Sequence, residues 1–235
     1  RRQKLPFTMS RKDICFNREI GNFVRVGIPI AFQEILTQLS FLALCAFINR
    51  LGLEASSGYG VANKIVSFIM LIPSALMQSM SAFVAQNVGA GKEERARKAL
   101  FTGMGIGCAI GVFVGLFAFF RGDLMAYVFT AEPAVIERAA QYLMGFAPEA
   151  VVTCILFSFI GYFNGHSQTF FVMVQGIVGA FCVRIPVSWF MSRMAGVTLF
   201  KIGLATPCSS SVQILLCAAY FIWLSGRSRK HRTSA

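Results

Sequence analysis

Residues 26–41 read VGIPIAFQEILTQLSF, an apolar run of the kind that crosses a bilayer, yet they carry Gln33, Glu34, Thr37 and Gln38. On a helix, positions 34, 37 and 38 share a face and Gln33 adjoins it, so these groups form a polar stripe around one carboxylate. A charged side chain near the bilayer centre costs at least about 2.5 kcal/mol on insertion scales, and one that persists faces a bundle interior or a wet cavity. Two chemistries suit such a group. A carboxylate held out of water favours its protonated form and can carry a proton; the same oxygens, with amide oxygens nearby, can hold sodium. Pro29, five residues earlier, removes a backbone hydrogen bond and favours a kink that widens the space around the stripe. A purely structural reading stands beside these, in which Glu34 pairs with a buried cation such as Arg184 to fix two helices. Simple snorkelling fits poorly, because Glu34 lies about 20 Å along the helix from Asn22 at 1.5 Å per residue.

Other polar residues fall in equally apolar surroundings. Glu149, in FAPEAVVTC, follows Pro148 and is a second candidate carboxylate, although the acidic loop TAEPAVIERA before it leaves the helix start open. Arg184, in CVRIPVSWF, needs a partner or water, and Glu34, Glu149 or an anionic group would each serve as its counterion. Asn63, Lys64, Gln78, Gln86 and Asn87 make one segment unusually polar, with Pro73 dividing it. Lys64 is near a span end and can snorkel, whereas the amides either line a pathway or bond across helices.

Enzyme chemistry fits badly. VGAGKEE has Gln86 where a phosphate loop needs its first Gly, and Glu93 where it needs Ser or Thr. GMGIG at 103–107 lacks the preceding strand and spacing of a dinucleotide site. With only His166 and His231, no metal cluster or catalytic pair assembles, and no cofactor is expected beyond a coupling ion. Ser209, Ser210 and Ser211 read as helix-packing hydroxyls.

The elements that must hold these residues follow from composition. Hydrophobic residues are 56% of the 235, charged ones 14%, and mean hydropathy is +0.64, too apolar for a soluble domain of this length. An all-α membrane protein is expected, with six transmembrane helices at about 22–49, 58–86, 100–120, 139–163, 168–191 and 203–224. Residues 1–21 are read as a basic cytoplasmic linker, 22–225 as the six-helix lobe and 226–235 as a basic cytoplasmic tail. Of 22 Lys and Arg, fifteen fall on the side holding both termini and five on the other, which puts both termini in the cytoplasm. The same rule accounts for the net charge of +12 without nucleic acid. Seven cysteines include no close pair and read as small buried hydrophobes. Gly103, Gly107, Gly111 and Gly115 lay a bare strip along the third helix, read as packing, with a sliding surface as the other option. The chain opens on Arg1 without a signal peptide, so it is expected to begin partway through a longer protein, unless Met9 is a start.

Residues 73–99, PSALMQSMSAFVAQNVGAGKEERARKA, resemble the helix end and following loop of the multidrug and toxic compound extrusion (MATE) transporters. The family's A-Q-N-x-G-A-G-x-x-x-R-A pattern is met by Ala85, Gln86, Asn87, Gly89, Ala90, Gly91, Arg95 and Ala96. GIPIAFQEILTQLSF resembles the opening helix of a lobe, GYFNGHSQTFF the loop after the fourth helix, and VRIPVSWF with IGLATPCSSSVQ the last two helices, so that the likeness spans residues 20–225. The resemblance implies a twelve-helix antiporter of two six-helix lobes around a central cavity, exporting cationic or amphipathic compounds in exchange for sodium or protons. Six spans behind a basic stretch then correspond to the C-terminal lobe. The chain departs from the pattern in one place. Some branches put an acid eight positions after the proline of the seventh helix, which here is Thr37, with Glu34 one turn earlier; others use an Asp of the N-terminal lobe.

The function expected is a secondary antiporter of the cell membrane for small amphipathic or cationic substrates, with Glu34, Gln33, Gln38, Thr37, Glu149, Arg184, Asn63 and Gln78 along the pathway. Its partners would be the lipid bilayer and a missing N-terminal lobe or a second copy. Two alternatives are a flippase for a lipid-linked precursor, which would want several basic residues in the cavity, and a half-length membrane protein with no transport of its own.

Overall fold

The computed structural model describes residues 18–194 and 198–233, with side chains for 20, 21, 23–194 and 198–225. Most of the expected basic linker, Cys15 and the side chains of the basic tail lie outside the described residues. The described chain is helical in the order α1 (Arg18–Asn49), α2 (Leu53–Ile69), α3 (Leu71–Gly89), α4 (Glu93–Tyr127), α5 (Pro133–Gly165), α6 (Thr169–Ile177), a π-helical turn (Val178–Arg184), α7 (Ile185–Arg193), α8 (Leu199–Gly203) and α9 (Ala205–Thr233). These build six apolar spans, Phe23–Asn49, Leu53–Gly89, Glu93–Tyr127, Pro133–Gly165, Thr169–Arg193 and Leu199–Ser225, each long enough to cross a membrane. The chain is therefore a multi-pass membrane protein. Three spans exceed 30 residues, so they run past the hydrocarbon core or cross it at a tilt.

Breaks in the helices follow from local chemistry. Pro73 cannot donate to the Ile69 carbonyl, and the second span accordingly divides at Met70 into α2 and α3. The third span does not stop at Phe120. It kinks at Arg121, whose φ of −131° and ψ of 32° are non-helical, and runs on to Tyr127. The fifth span passes through the π turn just before Pro186, another residue without a donor N–H.

The central element is α5, with 67% of its core window buried, whereas no other span exceeds 33%. It starts with Pro133 in the first turn, where a missing N–H costs nothing. The glycine strip of α4 is packed against it: Gly103, Gly107, Gly111 and Gly115 are all buried. A Cβ on Gly111 would sit 2.6 Å from the Ala150 carbonyl oxygen, and one on Gly115 2.9 Å from that of Ala147. The strip is thus a close helix contact, as small residues allow in a bilayer, where no hydrophobic effect drives helices together.

Two apolar clusters fill the bundle. One, with Leu44, Ile48, Tyr59, Ile65, Tyr142, Phe146 and Ile202, lies toward the end where α1 finishes. The other, with Met80, Val84, Leu100, Phe159, Phe163 and Cys217, lies toward the end where α1 begins and α9 finishes. On α5 they are separated by residues 151–154, and on α9 by residues 206–213. The lipid-facing surface is lined by exposed Phe101, Phe113, Leu116, Phe120, Leu215 and Ile222, as a hydrocarbon solvent permits.

At the end where α1 begins, the AQNxGAG run makes a tight joint between α3 and α4. Asn87 Nδ2 donates to the Phe83 carbonyl at 2.7 Å, its own carbonyl accepts from Lys92 N at 2.8 Å, and Gly91 adopts φ +69°. Only glycine takes that backbone region without a steric penalty. Gly91→Ala is expected to cost about 1 kcal/mol, read as a fall in the melting temperature of the purified chain in detergent. Just beyond the joint, Glu93 Oε1 meets His166 Nε2 at 2.8 Å and accepts from the Tyr162 hydroxyl at 3.3 Å, tying α4 to the end of α5. Arg97 donates to the Ser225 hydroxyl and lies over the Phe221 ring, which ties α4 to α9.

Candidate functional site

Between the two apolar clusters lies a cavity of about 270 Å³ that α1, α3, α5, the π turn and α9 all reach. Polar residues gather there because each helix contributes one turn of them. On α1, Gln33, Glu34, Thr37 and Gln38 border the cavity; Glu34 and Gln38 are exposed, Gln33 and Thr37 half-buried. On α9, Thr206, Ser210 and Gln213 follow i, i+4, i+7 spacing and all are buried. On α5, Glu149 and Thr153 stand one turn apart and point to the same place.

Glu149 is the middle residue of α5, about 24 Å from either helix end at 1.5 Å per residue, and is only 4% exposed. That position removes the uncertainty over its helix start. Pro148 before it cannot donate to the Met144 carbonyl one turn back, a local weakness in the ladder beside the carboxyl. Oε1 accepts a 2.6 Å hydrogen bond from the Ser210 hydroxyl on α9. Oε2 is buried and accepts no hydrogen bond of ordinary geometry, with the Thr153 hydroxyl one turn along α5 as the donor beside it. A buried carboxylate oxygen without such a bond carries a desolvation cost and is an acceptor ready for a cation or a proton.

Arg184, 6% exposed, is the last residue of the π turn. Its Nη1 donates to Ser40 Oγ at 2.9 Å, and the guanidinium lies 4.4 Å from the centroid of the Phe41 ring. Ser40 in turn donates to the Thr37 carbonyl at 2.7 Å, so α1 holds the arginine through a short relay. The expected counterion pairing is not formed. Among the described residues, the ion pairs within 4.0 Å are Lys98–Glu94, Arg121–Asp123, Arg138–Glu54 and His166–Glu93, and none includes Arg184, Glu34 or Glu149. Glu149 lines the same cavity as Arg184 and interacts with it through space rather than as a contact pair.

Asn63 and Gln78 lie outside this cavity, both exposed. Helix phase is the reason. Ala62 and Val66 take the inward positions of α2, and on α3 Ser74 and Met77 border the cavity, which leaves Gln78 one step beyond them. Of the serines read as packing hydroxyls, Ser209 behaves so, donating to the Gly179 carbonyl at 2.7 Å and steadying the π turn. Ser210 does not; it is a direct partner of Glu149. The i, i+4, i+7 spacing of Thr206, Ser210 and Gln213 was the sequence signal for that polar face. Ser40 and Phe41, which hold Arg184, have no comparable signal in sequence.

Comparison with known proteins gives the context. The chain is 24% identical over 212 residues to the probable multidrug resistance protein YoeA of Bacillus subtilis (strain 168), covering 85% of this chain and 44% of that protein. It is 21% identical over 197 residues to the FAD transporter of Shewanella oneidensis, covering 84% of this chain and 43% of the relative. The chain thus spans a little under half the length of these relatives. Among solved structures, an outward-facing multidrug resistance MATE family transporter superposes with a TM-score of 0.78 at 20% identity, over 85% of this chain and 44% of that one. The eukaryotic MATE transporter AtDTX14 superposes with a TM-score of 0.80 at 14% identity, over 87% and 46%. At these identities the structures establish a shared lobe fold. The MatE family model matches residues 29–190, well over half of the sequence, and the chain belongs to that family.

Proposed function

We propose that this chain is one six-helix lobe of a secondary antiporter that exports organic cations or amphipathic drugs in exchange for sodium or protons, with both termini in the cytoplasm. The observation that carries the reading is Glu149: a buried carboxylate at the middle of the long apolar helix α5, with one oxygen lacking a hydrogen bond of ordinary geometry, inside a polar cavity that two apolar clusters bound. Competition of substrate cation and coupling ion for one carboxylate is the linkage an antiporter needs, because each ligand then shifts the other's occupancy. Glu34, with Gln33, Thr37 and Gln38, supplies a second, more open carboxylate at the rim. The α1 face that carries Glu34 and Gln38 is largely uncovered, and the relatives are roughly twice as long as the matched segment, which supports a second lobe or a second copy opposite it. A lipid-linked pyrophosphate would need several cations, and among the described residues Arg184 is the only Lys, Arg or His lining the cavity, so the flippase reading has no support there.

The test is efflux of a fluorescent cationic dye from cells lacking their own pumps and expressing residues 1–235, with membrane insertion verified. Efflux that collapses with the sodium or proton gradient is the expected result; gradient-independent dye loss, or none from a well-inserted chain, counts against transport by this lobe. In the same assay Glu34→Gln is expected to slow export by less than about tenfold, since Glu149 keeps a carboxylate in the cavity. Complete loss on that change would move the coupling role from α5 to α1.

A further inference from the structure

Arg184 is the sole basic residue among the described residues lining the cavity, and it is in contact with no carboxylate. Ser40 and Phe41 occupy one Nη and one face of the guanidinium, both neutral. Nε is buried with no hydrogen-bond partner, and no carboxylate lies within 4.0 Å of the group among the described residues. Glu149 does not fill that place: Ser210 holds its Oε1 toward α9 at 2.6 Å, and the carboxylate forms no ion pair with the guanidinium. A buried guanidinium without a counterion is costly, and its planar fork matches the two oxygens of a carboxylate. The cavity therefore offers two poles, an arginine with a free donor on the π turn and a carboxylate with a free acceptor on α5.

We infer that Arg184 is a specificity-determining residue that takes the carboxylate of a zwitterionic substrate, whose cationic group faces Glu149, so that this lobe selects zwitterions over plain cations. The inference rests on the cavity being a substrate site. The relay from the guanidinium through the Ser40 hydroxyl to the Thr37 carbonyl keeps Arg184 in place before the substrate arrives, which limits the ordering cost of binding. Stacking on Phe41 holds the guanidinium plane. A plain cation would satisfy Glu149 and leave Nε of Arg184 without a partner.

The experiment compares two dyes that share a chromophore, rhodamine 110 with its free carboxylate and rhodamine 123, its methyl ester. Binding of each to the 235-residue chain in lipid nanodiscs is followed by fluorescence anisotropy. The wild-type chain is expected to bind the acid about tenfold more tightly than the ester, the low end of what a charge-assisted hydrogen bond supplies. In Arg184→Met the acid-to-ester ratio is expected to fall to about one, and Arg184→Lys, which keeps the charge but not the fork, to recover part of it. A residue that only held helices together would weaken both dyes alike and leave the ratio unchanged. Equal wild-type affinities, or a ratio that survives Arg184→Met, overturn the inference while the cavity remains a substrate site; the wild-type comparison decides the matter even where the Met variant does not fold. Binding of neither dye overturns the inference together with the reading of the cavity.

Discussion

Glu149→Gln is expected to weaken binding of a cationic dye by about a hundredfold and to uncouple its export from the ion gradient, with the chain still folded. The substitution keeps the size of the side chain and an oxygen for the Ser210 hydroxyl, which now donates at 2.6 Å, but removes the charge. Loss of one partner from a buried charge pair typically costs 2–5 kcal/mol, and about 3 kcal/mol corresponds to a hundredfold. The cost is large here because Glu149 is buried at the middle of α5, where water cannot take over from the carboxylate. The fold should not suffer, since a buried charge with an unsatisfied oxygen contributes little net stability, and replacing it with a neutral isostere is close to neutral. The measurement is dye affinity by anisotropy beside gradient-driven efflux and thermal melting of the same preparation. A variant that binds and couples as the wild type does would remove Glu149 from the mechanism and leave Glu34 as the candidate. A variant that melts far below the wild type would instead make Glu149 a structural tie between α5 and α9.

Gly111→Leu is expected to prevent assembly of the lobe, whereas Gly105→Leu on the same helix should leave it intact. Position 111 presses its bare backbone against α5, where a Cβ would lie 2.6 Å from the Ala150 carbonyl oxygen and 2.9 Å from the Val151 Cα. Both obstacles are backbone, so no rotamer change can relieve them. Overpacking of this kind costs about 1–3 kcal/mol when neighbours can shift, and more when they cannot. Position 105 meets nothing within 4 Å and is exposed, so a leucine there simply faces lipid. The contrast controls for hydrophobicity and for helix propensity, because the substitution and the helix are the same. The yield of monodisperse protein after detergent extraction, with its melting temperature, separates the outcomes. Equal behaviour of the two variants would mean that α4 slides on α5, and the glycine strip would then be a moving surface. Position 111 also lies opposite the turn that follows Glu149, so a milder Gly111→Ala is expected to disturb the cavity before it unfolds the lobe.

The sequence by itself determined the membrane, the number of spans and the family. Those properties rest on terms that add along the chain: apolar length against bilayer thickness and a local motif read in order. The run Ala85–Gly91 is legible because its turn is local, with Gly91 N donating to the Val88 carbonyl and Lys92 N to that of Asn87. Helix phase within one span was legible too, which is why Gln33, Glu34, Thr37 and Gln38 are found on one cavity edge. What only the tertiary structure decided is which faces meet. Asn63 and Gln78 have the same composition signal as Gln33 yet point elsewhere, because the inward side of α2 and α3 is set by neighbours far away in sequence. Ser210 partners a carboxylate 61 residues away, and Arg184 binds a hydroxyl 144 residues away. The π turn at Val178–Arg184 is equally non-local, its Gly179 carbonyl held by Ser209 of α9. Insertion energy fixes that a buried charge needs company, but not whose. Side-chain packing across helices chooses the partner, and it put Glu149 against Ser210 and left Arg184 with Ser40 and Phe41.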